Sequence, residues 1–180
     1  MKKLFLGFLM VIGFTFCLSI PANAQWGTLE GDPICRVYNP NSGEHLYTPS
    51  RFESRTLETL GWQYEGIAWM APKPIVAEGN YNHHNKYASD HIFRFYNPNA
   101  GDHHYTMNLI EGRILLEQGW EDDRLTFPSA HADRYPIYRL YNPNAIAGAH
   151  HFTTNAAERD MLVGVGWKDE GIGFYAIALE

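Results

Sequence analysis

Tyr141-Asn142-Pro143-Asn144 opens a stretch that runs through His150-His151-Phe152-Thr153 to Gly166-Trp167 and Glu170-Gly171-Ile172. The chain carries two more versions of it, starting at Tyr38-Asn39-Pro40-Asn41 and Tyr96-Asn97-Pro98-Asn99. Each time a Gly-containing segment leads to His, an aromatic and Thr, and a Gly-Trp pair follows at Gly61-Trp62, Gly119-Trp120 and Gly166-Trp167. Self-similarity of this kind is the mark of an architecture built from small units that cannot bury an apolar face alone. The copies span residues 35–69, 93–127 and 138–174.

Within a copy, the local chemistry reads in order. Arg36-Val37-Tyr38, Arg94-Phe95-Tyr96 and Arg139-Leu140-Tyr141 alternate in polarity and predict a strand. Asn-Pro-Asn and then Gly43, Gly101 or Gly148 predict a turn, because Pro fixes φ and Asn and Gly tolerate the left-handed region. A second strand over 44–48, 102–106 and 149–153 closes a hairpin, with two extra residues in the loop of the third copy. Ser50 with Glu53, Asn108 with Glu111 and Asn155 with Glu158 have the spacing of a helix-capping box. The helices so started predict apolar stripes at Phe52, Leu57 and Leu60, at Ile110, Ile114 and Leu115, and at Met161, Leu162 and Val165. Gly61, Gly119 and Gly166 stop them after about ten residues, too few for a helix to stand without tertiary packing. A last short strand over 67–69, 125–127 or 172–175 completes the unit. The expected fold is α+β: three β-hairpin–short helix–strand repeats arranged with pseudo-threefold symmetry.

Composition narrows the function. Lys2 and Lys3, an apolar run over 4–20 and Ala22-Asn23-Ala24 have the form of a signal peptide over residues 1–24, which leaves a single repeat domain over 25–180. Phe16 before Cys17 argues against a lipoprotein site, so the expectation is a secreted protein, periplasmic or extracellular, without membrane insertion. Loss of two lysines would move the net charge from -6 to -8, which disfavours nucleic acid as a partner. Cys35 would be the sole remaining cysteine, a buried apolar group rather than half of a disulfide.

The residues from Tyr141 to Asn144, His151-Phe152-Thr153-Thr154-Asn155, Gly166-Trp167 and Glu170 to Tyr175 resemble a family of short tandem repeats of undefined function. Such repeats occur in secreted bacterial and fungal proteins, often beside cell-wall or glycan-active domains. The second copy departs from the pattern, with Arg124 in place of Gly66 and Gly171 and Asp122-Asp123 in place of Tyr64-Glu65. The resemblance implies an accessory, glycan-binding role and supplies no catalytic residue.

Three equivalent candidate sites follow: His45, Tyr47 and Trp62; His103, Tyr105 and Trp120; His150, Phe152 and Trp167. Residues two apart on a strand share a face, so each His would lie beside an aromatic ring able to stack on a sugar. The competing reading places the aromatics in the core. Arg36, Arg94 and Arg139 recur with Glu65, Asp123 and Glu170, an ion pair holding hairpin to last strand. His83, His84, Asp90 and His91 crowd the unrepeated connection over 70–92 without a zinc-like spacing, so no metal and no cofactor are expected. The leading expectation is a non-catalytic module that binds glycan or cell-wall polymer. A protein-binding factor (an inhibitor or envelope assembly partner) acting through 70–92 is the alternative, and a hydrolase using that connection's His residues ranks last.

Overall fold

The computed structural model describes residues 31–73 and 90–179. The expected signal peptide, and His83 and His84, lie outside the described residues. Three similar three-stranded antiparallel sheets follow one another, each joined to a short helix. In the first unit β1 (Asp32–Tyr38) lies between β2 (His45–Thr48) and β3 (Gln63–Ala71), with α1 (Arg51–Thr59) linking the two edge strands. The second has β4 (His91–Asn97) between β5 (Asp102–Thr106) and β6 (Glu121–Pro128), with α2 (Leu109–Glu117). The third has β7 (Tyr135–Tyr141) between β8 (His150–Thr153) and β9 (Lys168–Ala176), with α3 (Ala156–Gly164). None of these helices is long and apolar enough to cross a membrane.

The last strands begin directly after the Gly-Trp pair, several residues earlier than the apolar pattern predicts. A bulge permits this: register shifts against the central strand leave Gly66 and Gly171 at positive φ (103° and 85°). In the second unit Arg124 takes the same left-handed conformation at φ 59°, held by its N–H donating to the Asp122 carboxylate at 2.8 Å.

Each unit contributes the same three apolar positions to one shared core: Ile34, Ile92 and Ile137; Tyr47, Tyr105 and Phe152; Trp69, Phe127 and Phe174. The middle set forms a triangle. Ring centroids lie 5.6 Å apart for Tyr47–Tyr105, 5.7 Å for Tyr47–Phe152 and 5.7 Å for Tyr105–Phe152, all edge-to-face. The Tyr47 hydroxyl donates to the Phe152 carbonyl at 2.8 Å and accepts from the Phe152 N–H at 3.0 Å. The Tyr105 hydroxyl does the same to Tyr47, at 2.9 and 2.8 Å. Each phenol thus occupies backbone groups of an edge strand in a neighbouring unit that its own sheet leaves unpaired.

The helices depart from expectation. Ser50, Asn108 and Asn155 do cap them, but the predicted apolar stripes do not enter the core. Phe52 is 83% exposed and Val165 72%, and Leu60, Ile110, Ile114 and Met161 are also exposed. Only Leu57, Leu115 and Leu162 are half-buried. The first two helices approach their sheets through small residues instead, buried Ser54 and Gly112, whereas the third lays Arg159 over the Tyr138 ring at 4.4 Å. A Cβ on buried Gly112 would lie 2.7 Å from the tip of Phe95, so backbone fills the space that a stripe would need.

Candidate binding clefts between the units

The clefts begin with a change of use for the capping-box glutamates. The N-cap N–H groups of Ser50, Asn108 and Asn155 donate to the hydroxyls of Thr48, Thr106 and Thr153, at 2.9, 2.9 and 3.0 Å. The third residue of each helix is therefore free to point away. Thr106 in turn donates to Glu111 at 2.5 Å and Thr153 to Glu158 at 2.5 Å, which orients each carboxylate towards the next unit.

There each glutamate meets the recurring arginine of its neighbour. Arg94 clamps Glu53 with two bonds of 3.1 and 2.6 Å, and Arg139 clamps Glu111 at 3.3 and 3.2 Å. Arg36 reaches Glu158 at 3.5 Å, which joins the first unit to the third and closes the circuit. The same arginines make the ion pairs expected within the units: Arg36 with Glu65 at 2.9 Å, Arg94 with Asp123, and Arg139 with Glu170 at 2.6 Å. Every unit boundary thus holds a guanidinium between two carboxylates.

Histidines line two of the boundaries in pairs. His104 bonds Glu111 at 3.1 Å and its Nδ1 meets Nδ1 of His150 at 3.3 Å; the His150 ring also lies 3.4 Å from Glu170. His151 bonds Glu158 at 3.2 Å beside His45, with ring centroids 4.6 Å apart and His45 3.4 Å from Glu65. At the first boundary Leu46 takes the place of the inner histidine. Buried Glu44 compensates, accepting from the His103 ring at 2.6 Å and from its N–H at 2.9 Å.

Electrostatics follow from this packing. Burial alone would raise Glu158, but the His151 and Thr153 hydrogen bonds and the Arg36 charge outweigh it and hold the carboxyl at about 2. Glu111 is held well below the usual carboxylate range, first by the His104 hydrogen bond. Glu53 and Glu65 are lowered in the same sense, burial being outweighed by Arg94 in one case and by His45 and Arg36 in the other. Burial and the neighbouring His104 push His150 down to about 3, and burial lowers His151, so both rings are neutral at pH 7.

The nine residues singled out by sequence divide into three groups. Tyr47, Tyr105 and Phe152 are buried to 1% exposure or less and present no face to a ligand; the proposed stacking partners of the His residues are core, because they fill the junction between units. His45, His103 and His150 are half-buried at the clefts. Trp62, Trp120 and Trp167 are half-buried at the helix ends, where Trp120 and Trp167 pack edge-on against His104 and His151 at 6.1 and 6.2 Å. Missing from that set are Tyr38, Tyr96 and Tyr141, half-buried and tilted against His45, His103 and His150 at 4.9, 5.0 and 5.2 Å. They are cross-strand partners in the hairpin register, a signal that counting back from the turn would have found. Asp90 and His91 bond each other at 2.9 Å at the start of β4.

Beside the boundary of the second and third units lies an open groove of about 720 Å³, within the size range of ligand sites. Its walls are Ile110, Ile114 and Leu115 of α2 and Ile172 of β9, and Glu111, Arg139 and Glu170 line its polar side. Gly173 lines it too, where the other units have Ala68 and Thr126.

A family model described as a domain of unknown function, DUF5648, matches residues 33–177. The chain belongs to that family. No curated protein and no solved structure matches the chain. The DUF5648 match takes in all three units and hence every cleft residue named above.

Proposed function

We propose that the protein is a secreted, non-catalytic recognition module that binds glycan or cell-wall polymer in the clefts between its units, which are set about a pseudo-threefold axis through Tyr47, Tyr105 and Phe152. The observation that carries this reading is the recurrence at three boundaries of one arrangement: an arginine between two carboxylates, with a half-buried Tyr–His pair beside it. Fixed polar groups of both kinds next to an aromatic ring are what hydroxyl-rich ligands need. The arginine-paired carboxyls Glu53, Glu65, Glu111 and Glu158 are lowered, which suits them to fixed hydrogen bonding rather than to the role of a glycosidase's general acid. Equivalent clefts would bind weakly one by one and gain strength on a polymer.

The test is depletion of the purified protein from solution by insoluble polysaccharides, peptidoglycan among them. Depletion that soluble fragments of the same polymer compete away is the expected result. Retention in the supernatant on every polymer would sink the reading. Exposed apolar side chains on the helices, Phe52, Ile110 and Met161 among them, favour the second reading of a protein partner. In that case capture of envelope proteins would survive saturation with soluble glycan.

A further inference from the structure

The three boundaries share an arginine set between two carboxylates but not their walls. Two and six residues after the N-cap, the helices carry Phe52 and Thr56, Ile110 and Ile114, or Ala157 and Met161. Ile172 lines the groove with Ile110 and Ile114, and the positions equivalent to it on the other last strands are Ile67 and Leu125. The boundary of the second and third units thus has branched aliphatic residues at all three places. Ile110, Ile114 and Ile172 are 66%, 46% and 49% exposed there, with the Gly173 backbone opening the groove beside them.

Its charge is unbalanced. Arg139 directs Nε to Glu170 and one bond from each terminal nitrogen to Glu111, so three of its five N–H groups are taken by the protein's own carboxylates. One guanidinium against two carboxylates leaves one negative charge. Glu111 uses both oxygens, towards His104, Thr106 and Arg139. Glu170 uses Oε2 for Arg139 and His150, and its Oε1 has no partner among the described residues. A ligand anion would meet repulsion, while a cation would meet an open carboxylate oxygen at the end of an aliphatic trough.

We propose that this groove binds the side-chain amine of a diamino acid in a cell-wall peptide, its methylenes against Ile110, Ile114 and Ile172 and its ammonium on Glu170. The inference rests on the cell-wall reading above and names the part of the polymer recognised. An amino sugar offers the same ammonium, but its ring carries hydroxyls on most sides, and these would lie unpaired against the isoleucines. A methylene chain has no such groups and suits a trough without an exposed aromatic ring.

Calorimetry with the purified protein tests it, using a soluble cell-wall fragment with a free diamino-acid amine, the same fragment acetylated at that amine, and a glucosamine oligomer. The free amine should bind at least tenfold tighter than the acetylated form. Glu170→Gln and Ile114→Lys should each reduce it to the acetylated level. Ile114 is solvent-exposed and replaced by Thr56 and Met161 in the other units, so that variant keeps the test valid if Glu170→Gln does not fold. Equal affinity for the two fragments, or tighter binding of the glucosamine oligomer, would overturn the proposal. If insoluble peptidoglycan still depletes the protein in that case, the cell-wall reading stands and this inference alone is lost. If neither polymer nor fragment binds, both are lost.

Discussion

At the scale of single residues, backbone conformation sets the tightest limits. Arg124 holds a left-handed φ of 59° at a bulge where the other units place glycine. That conformation costs a side-chain-bearing residue about 1–2 kcal/mol, part of which is offset by the greater freedom glycine has when unfolded. Arg124→Gly should therefore stabilise the fold by about 0.5–1 kcal/mol, read as a higher urea midpoint with unchanged slope. Gly148 stands at the opposite extreme. With φ 66° and a Cβ position 2.6 Å from the Cα of Glu44, it packs one unit's turn against another's backbone. Gly148→Ala should cost more than about 2 kcal/mol. Gly43→Ala, with similar φ and nothing within 4 Å of the added carbon, should cost only about 1 kcal/mol in the same melts.

At the scale of elements, what the sequence discloses depends on how local the cause is. The hairpins, the caps and the helix stops were legible because Pro, Asn, Gly and the cap residues act within four or five positions. The Arg pairs with Glu65, Asp123 and Glu170 were legible through recurrence alone. What the helices would bury was not, since periodicity assumes a helix lying along its sheet. Here Gly112 brings the backbone onto Phe95 and leaves Ile110 and Ile114 outside. The clefts were half legible. The capping glutamates were read as serving their own helices, while the partner that claims each of them belongs to another unit and is invisible to local spacing. Tyr47 illustrates the same limit from the core side. Its hydroxyl satisfies both backbone groups of Phe152, 105 residues away. Tyr47→Phe should leave that N–H buried and unpaired and cost about 1–3 kcal/mol, measurable by calorimetric melting.

Over the whole molecule, the histidines and clamped glutamates of the boundary networks make stability fall as the pH falls, opposed only in part by Asp102, whose carboxyl burial raises. His150 and His151 titrate lower in the folded chain than the ordinary value of 6.5, so the unfolded chain binds more protons as pH falls below that value. Stability present above pH 6.5 is therefore lost progressively towards pH 3. The carboxylates add to the loss: Glu53, Glu65, Glu111 and Glu158 all have folded values below 4.5, and their contribution declines as pH falls below it, passing about 2 for Glu158. Melting temperature should fall steadily from pH 7 to pH 3, and a profile flat across that range would contradict the network as described. Because the Glu–Arg clamps join each unit to the next, the loss should appear as one cooperative transition rather than three.

The end of the third unit is also tied to the first. The Met70 N–H donates to the Ala178 carbonyl at 3.0 Å, the Ile177 N–H donates to the Met70 carbonyl at 2.9 Å, and Gly31 lies against Ile177. A circuit closed in this way has no privileged starting point. A chain rejoined from residue 179 to residue 31 and opened in the connection before β7 would preserve these contacts in permuted order. The order around the circuit is then set by which arginine meets which glutamate, and not by which unit comes first along the chain.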